Sequence, residues 1–160
     1  MQSFIYDVAV SMDGYICGSG DDVSAFPHHG TMVDDYRSRM ENYSICLLGR
    51  RSYEFGYAYG LEPGRNPYPG MRCIVVSSSI RLPDNSEVEV APSLEGVFIR
   101  GLRASASGPI YLCGGGELAG QMLALGEIQT LRLKRAPILL GEGVRLFGGN
   151  CAPTDLQCTS

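Results

Sequence analysis

The sequence predicts an α/β domain of three layers, a central, mostly parallel, twisted sheet with helices on both faces. Three observations predict it. Short β-branched runs alternate with helical stretches along the chain, several strands pass straight into glycine- or serine-rich turns that open helices, and hydrophobic residues make up 44% of the chain against 19% charged. Parallel strands require crossover connections, and these lay helices on the faces of the sheet. A length of 160 residues suits a single domain, residues 1–160, with one continuous core. So apolar a composition can offset chain entropy, which argues against intrinsic disorder.

Residues 4–10 (FIYDVAV) are β-branched and aromatic and run into Ser11-Met12-Asp13-Gly14, a strand ending in a turn. Residues 18–30 (GSGDDVSAFPHHG) read as a loop, and loops of that length usually carry a task such as covering a site. Thr31 caps a helix through residue 42, with Met32, Tyr36 and Met40 spaced by four on one face. Residues 45–48 (ICLL) form a buried strand, and Gly49-Arg50-Arg51-Ser52 opens a helix directly from its end. Beyond a Pro/Gly-rich linker at 62–70 comes a strand at 73–76 (CIVV) ending in Ser77-Ser78-Ser79, then a strand at 87–90 (EVEV). A helix begins around Pro92-Ser93-Leu94-Glu95 and reaches residue 106. Its Gly101 costs about 1 kcal/mol relative to alanine in a helix interior. Residues 110–113 (IYLC) make a fifth strand, Gly114-Gly115-Gly116 a turn, and 117–125 a short amphipathic helix. Residues 128–140 read as an edge strand bent at Pro137, and 155–159 as a final short strand.

The formal net charge is -4 with no basic stripe, so nucleic acid is not an expected partner. No apolar run approaches the ~20 residues that span a bilayer, and the opening MQSFIYDVAVSMDG carries acids where a signal peptide carries bases. A cytoplasmic protein without a membrane partner is expected. The six cysteines are scattered and no pair has C-x-x-C spacing, so no metal site is expected. Cys46, Cys73 and Cys113 sit inside apolar runs, where a free thiol behaves as a small hydrophobe. Nothing beside Cys151 or Cys158 marks an activated thiolate.

In an open parallel sheet, ligands bind beyond the carboxyl ends of the strands, where loops converge and helix N-termini point free N–H groups. Gly114, Gly115 and Gly116 follow a strand and precede a helix. A diphosphate could approach their backbone closely, although a tight turn needing positive φ also explains one of them. Arg50 and Arg51 open a helix, a place where a cation is unfavourable unless an anion lies near. With Ser52 they suit a ribose 2′-phosphate, or else they are two solvated surface arginines. The Ser77-Ser78-Ser79 hydroxyls either meet a ligand or satisfy the backbone of their own turn.

The blocks VAVSMDGYI (8–16), LLGRRSYE (47–54), VVSSS (75–79), IYLCGGGELAGQ (110–121) and LRLKRAPILLGEGVRLF (131–147), in that order, resemble the successive landmarks of the dihydrofolate-reductase-like family. The likeness is greatest to stand-alone bacterial proteins similar to the reductase half of the riboflavin deaminase/reductase. The resemblance implies the dihydrofolate-reductase-like fold with an antiparallel C-terminal edge, and an NADPH cofactor. Gly49, Arg50, Arg51 and Ser52 would hold adenosine-side phosphates and Ser77 and Ser78 would flank the adenine ribose. Gly114, Gly115, Gly116 and Glu117 would receive the diphosphate, with a cis peptide at Gly114-Gly115. It further implies that residues 11–15 cover the nicotinamide, that the segment after Pro137 lines the substrate pocket, and that the protein is a homodimer. Relatives continue into a closing antiparallel strand pair, whereas this sequence stops at Ser160, so one strand fewer is expected, with the edge covered by a partner or a loop.

The implied activity is hydride transfer from NADPH to a C=N or C=O of a small heterocycle, pterin-like or pyrimidine-like. The proton donor is less defined. Asp34 or Asp35 falls where family members carry a pterin-binding acid, although acids in a first helical turn also simply favour the helix dipole. Asp13 is the other candidate, or an ordinary Asp-Gly turn residue. His28 and His29 lie in the long loop, and Tyr53, Phe55, Tyr57, Tyr59 and Tyr68 offer rings that either stack on a heterocycle or pack the core. Two other readings stay open: a dinucleotide-binding protein without turnover, and a structural dimer module.

Overall fold

The computed structural model describes residues 1–149 and 151–159. In chain order they form β1 (Phe4–Val10), β2 (Tyr15–Cys17), α1 (Thr31–Met40), β3 (Ile45–Gly49), α2 (Arg50–Phe55), β4 (Arg72–Val76), β5 (Glu89–Ala91), α3 (Gly96–Ser105), β6 (Ile110–Gly114), α4 (Gly116–Ala124), β7 (Thr130–Arg135) and β8 (Val144–Arg145). Six strands make one sheet in the order β5-β4-β3-β6-β1-β7, with every pairing parallel. Strands β2 and β8 form a separate antiparallel pair.

Side chains alternate across a strand, and here the alternation sorts the core into two layers. Phe4, Tyr6, Ile45, Leu47, Ile110 and Leu112 pack with Ile99 and Leu102 of α3 and with Leu118 and Met122 of α4. Cys46, Leu48, Val75 and Tyr111 face the other way, toward Tyr53 of α2 and Tyr36 and Met40 of α1. Each large apolar side chain so enclosed contributes about 1.5–3 kcal/mol. Residues 45–48 of β3 are all buried, which explains their uninterrupted apolar run.

The expected strands and helices are present, with boundaries that differ for physical reasons. Thr31 is the first helical residue rather than the cap. Gly30, at φ +110°, precedes it and its carbonyl accepts from the Val33 and Asp34 amides. Met32 is exposed while Tyr36 and Met40 reach the core, because the first turn of α1 lies beyond the core it packs on. Helix α3 begins at Gly96, after Glu95 in an extended conformation. The edge strand β7 stops at Arg135 and runs parallel to β1, so the antiparallel C-terminal component is the small sheet. On either side of Pro137 the chain keeps contact with the end of β1 through single bonds, Ala136 N to Val10 O at 2.8 Å before it and Met12 N to Ile138 O at 2.9 Å after it. The short strand expected at 155–159 does not form; those residues are exposed and irregular. Ser160 lies outside the described residues.

Candidate functional site

Strands β3 and β6 are neighbours, and the helices that follow them, α2 and α4, leave on opposite faces. That arrangement is a topological switch point, where a crevice opens beyond the strand ends. Here it is a cleft of about 1040 Å³, at the upper end of the ~300–1,000 Å³ usual for ligand sites. Three strand-end turns converge on it: Gly49 to Ser52, Ser77 to Ser79, and Gly115 to Glu117. Strand β2 adds Ile16 and Cys17, the loop after it adds Asp21, and the C-terminal segment adds Val144, Arg145 and Gly148.

The three consecutive glycines have three different reasons. Gly114 sits at φ +98°, and a Cβ there would stand 3.3 Å from the Tyr6 ring. Gly116 has no room for a Cβ because the Arg145 carbonyl and the Gly148 amide occupy its place. Gly115 lines the cleft, where a Cβ would meet the Ser52 Oγ at 3.4 Å and Ile16 at 3.7 Å. The Gly114-Gly115 peptide is cis. Two of the glycines therefore serve the fold, and the third leaves backbone open to a ligand.

Arg50 Nη1 lies 3.6 Å from Glu54 and Arg51 Nη2 lies 3.3 Å from Asp21, with all four side chains partly exposed. Exposed pairs of this kind are worth about 0–1 kcal/mol. A phosphate, which takes stronger charge-assisted bonds from guanidinium, can displace these carboxylates at small cost. Ser77 Oγ accepts from the amides of Ser79 at 3.1 Å and Ile80 at 3.0 Å, so its hydroxyl shapes the turn. Ser78 is exposed and lines the cleft. The residues present thus fit a dinucleotide: cations at one turn, hydroxyls at another and open backbone at a third.

The acid candidates are not in the cleft. Asp13 faces solvent and clamps the β1–β2 turn to the segment after Pro137, accepting from Ser11 Oγ at 2.6 Å and from the amides of Leu140 at 3.1 Å and Gly141 at 2.7 Å. The Ser11 hydroxyl and then the Gly141 amide lower its pKa to about 2, so it is ionised at neutral pH. Asp35 is exposed on α1, as are Asp34 and both histidines of the long loop. Residues 11–15 do not line the cleft either; Ile16 and Cys17, just beyond, do. Of the aromatic group, Phe55 and Tyr68 line it, while Tyr53 is buried.

Sequence reasoning missed two features. Asp7 is buried on β1, where it accepts from Arg39 at 2.8 and 3.2 Å and from Tyr43 Oη at 2.9 Å, with Arg132 at 3.7 Å. Burial, then the Asp7 charge, pushes the Tyr43 hydroxyl up to about 12. The signal was an acid inside an apolar strand, with Arg132 and Lys134 two residues apart on its neighbour. The second is Cys113, a half-buried thiol that lines the cleft beside Tyr68. Its run of apolar neighbours concealed it, since alternation turns its side chain away from the fully buried face.

The fold and cleft define the class, a reductase-type fold like that of dihydrofolate reductase. More particularly, the chain belongs to the RibD C-terminal domain family, which matches residues 2–160. It is 30% identical over 146 residues to the uncharacterized protein YwjB of Bacillus subtilis (strain 168), covering 88% of this chain and 79% of that one. Among solved structures, a putative riboflavin biosynthesis protein from Shewanella sp. PV-4 superposes with a TM-score of 0.76 at 22% identity, over 96% of this chain and 86% of that chain. A diaminohydroxyphosphoribosylaminopyrimidine deaminase/5-amino-6-(5-phosphoribosylamino)uracil reductase from Thermotoga maritima gives 0.69 at 18% identity, over 98% of this chain and 51% of that chain. Dihydrofolate reductase from Enterococcus faecalis, complexed with NADP(H) and RAB-propyl, gives 0.64 at 17% identity, over 90% and 76%. The expected family and fold are borne out.

Proposed function

We propose that this protein is an NADPH-dependent reductase that transfers hydride to a C=N or C=O carbon of a small heterocycle, pterin-like or pyrimidine-like. The observation that carries the reading is the convergence of three strand-end turns, 49–52, 77–79 and 115–117, on one cleft at the switch point. The Enterococcus dihydrofolate reductase of the same fold was solved with NADP(H), and the Thermotoga relative of the same fold is named a uracil-type reductase. When bound, NADPH supplies the hydride. Arg50, Arg51 and Ser52 would bind its phosphates, Ser77 and Ser78 the adenine ribose, and the backbone from Gly115 to Glu117 the diphosphate, while Gly114, which does not line the cleft, shapes the turn. The loop after β2 and the 144–148 segment wall the cleft and would orient the reactants and exclude water.

Titration of the purified protein with NADPH and NADH, followed by nicotinamide fluorescence, tests the cofactor half, and NADPH oxidation across a panel of pterins and pyrimidines tests the rest. Micromolar NADPH binding with turnover is expected. Binding without turnover would favour a non-catalytic dinucleotide-binding protein, a reading supported by Asp13 and Asp35 standing off the cleft. Absence of binding would leave a structural dimer module. A homodimer is part of the proposal: β7 ends the sheet order, and an edge strand gains from a covering partner. Sedimentation analysis tests it. Cytoplasmic residence is proposed on the free state of the cysteines, which suits a reducing compartment.

A further inference from the structure

At the end of β6, behind the wall of the cleft, titratable side chains from several elements converge on one sulfur. Tyr68, from the linker before β4, places its hydroxyl 3.4 Å from the Cys113 Sγ, and both residues line the cleft. Tyr111 packs edge-on against Tyr68 with ring centroids 5.7 Å apart, and its hydroxyl lies 2.7 Å from that of Tyr36 on α1. Lys134 reaches over from β7, its Nζ 3.1 Å from the centroid of the Tyr36 ring. Cys46 on β3 neighbours the sulfur, Asp7 on β1 and Arg39 on α1 are the charges near Lys134, and Cys17 lines the same cleft. The neighbouring Cys46 thiol first, then the Tyr68 hydroxyl that bonds the sulfur and the Tyr111 hydroxyl, outweigh burial and lower the pKa of Cys113 to about 7, helped by the Lys134 ammonium. Burial in turn lowers Lys134 to about 8.

None of these groups is used by the dinucleotide-binding half of the site, and the two acids that line the cleft belong to that half, Asp21 paired with Arg51 and Glu117 in the first turn of α4. We propose that the Cys113 thiol is the proton donor of this cleft, with Tyr68 and Lys134 positioning it and stabilising the thiolate it leaves. The inference rests on the reductase reading and deepens it. Hydride addition to the carbon of a C=N or C=O leaves an electron pair on the nitrogen or oxygen. That atom takes the proton of the Cys113 S–H, so an N–H or O–H bond forms and the S–H bond breaks. The thiolate regains its proton from water through the open cleft, and sulfur is neither oxidised nor reduced. Cys113 is thus a catalytic residue, and Tyr68 and Lys134 are positioning residues.

Wild type, Cys113→Ser, Cys113→Ala and Lys134→Met are first titrated with NADPH. Each is then alkylated with iodoacetamide between about pH 5 and pH 9, following the peptide that contains Cys113 where that residue remains. Finally, NADPH oxidation is measured with whichever pterin or pyrimidine the wild type reduces. Alkylation of Cys113 is expected to rise through neutral pH, to rise at higher pH in Lys134→Met, and to slow when NADPH is bound. Cys113→Ala should bind NADPH within about twofold of wild type yet lose about 100-fold or more in kcat, the usual contribution of a general acid. Cys113→Ser, which does not titrate in this range, should remove the decline of kcat above neutral pH. Cys113 reacting only above about pH 9, or Cys113→Ala keeping wild-type kcat and pH profile while binding NADPH, would overturn the proposal and leave the reductase reading standing. Failure of the wild type to bind NADPH would overturn both.

Discussion

The cleft and the Asp7 network on β1 are built by different means. On the β3–β4–β6 side the candidate groups are short contiguous turns, largely exposed, held in place by the strands they follow. In the network on β1, none of whose residues lines the cleft, they are single residues distant in sequence, Asp7, Arg39, Tyr43, Arg132 and Lys134, brought together by the pairing of β1 with β7 and by the packing of α1, and partly buried. Exposed charges can exchange partners cheaply, whereas buried ones cannot lose a partner without leaving another unpaired. The cleft is therefore suited to binding and releasing an anion, the network to fixing geometry.

The largest test of that contrast is Asp7→Ala. It leaves Arg39, Tyr43 and Arg132 without their common acceptor and should cost about 3–5 kcal/mol of stability, the usual loss on breaking a buried pair. At ~2–4 °C per kcal/mol for a chain of this size, Tm should fall by roughly 10 °C. A fall of one or two degrees would mean that the cations re-solvate and that the network is no more rigid than the cleft. The next effect lies in the cleft itself. Replacing Arg50 and Arg51 together with alanine should weaken NADPH binding by about 10- to 100-fold, as expected for hydrogen bonds to a charged group worth about 1.5–3 kcal/mol, with Tm nearly unchanged. NADH binding should fall much less; equal losses would show that the pair does not read the 2′-phosphate.

The same contrast explains what could be read from the sequence. Gly49-Arg50-Arg51-Ser52 and Gly114-Gly115-Gly116 are legible because a strand end, a turn and a helix start are neighbours in the chain as well as in space. The parallel sheet was legible from the apolar runs at 45–48, 73–76 and 110–113. The Asp7 network and the Cys113 cluster depend on register, Asp7 opposite Arg132 and Ala9 opposite Lys134; the sequence marks the acid in its apolar strand but not the register that brings it its partners. The helix after Gly30 includes Thr31, the residue expected to cap it, because Gly30 and not a side-chain cap ends the loop. The strand expected at 155–159 fails because nothing in the sheets pairs with it.

A smaller effect sharpens the comparison through pH. Lys134 titrates lower in the folded protein, at about 8, than the ~10.4 of an unfolded lysine. The unfolded chain therefore binds more protons between these values, so stability should rise with pH across that window and carry the full penalty below it. Lys134→Met removes the penalty but also the contact with the Tyr36 ring. Discounted for partial exposure, a net gain of about 1 kcal/mol at neutral pH is expected, shrinking above about pH 8. Urea midpoints at several pH values measure it; a gain that does not shrink would place its cause in packing rather than charge.

The smallest expected effect concerns Asp13, and it separates a structural acid from a chemical one. Its carboxylate holds the Leu140 and Gly141 amides from an exposed position. With a folded pKa near 2 against ~3.9 unfolded, its contribution is complete above about pH 4 and fades as pH falls toward 2. Asp13→Asn replaces one acceptor oxygen with a donor that faces those amides, so hydrogen exchange at Leu140 and Gly141 should quicken while global stability and NADPH binding stay close to wild type. An ionised carboxylate outside the cleft has no proton to give at neutral pH, so turnover should fall only a few-fold, through loosening of the wall that the same segment forms further on. A loss as large as that expected for Cys113→Ala would instead make Asp13 the acid, and would require the β1–β2 turn to swing into the cleft when substrate binds.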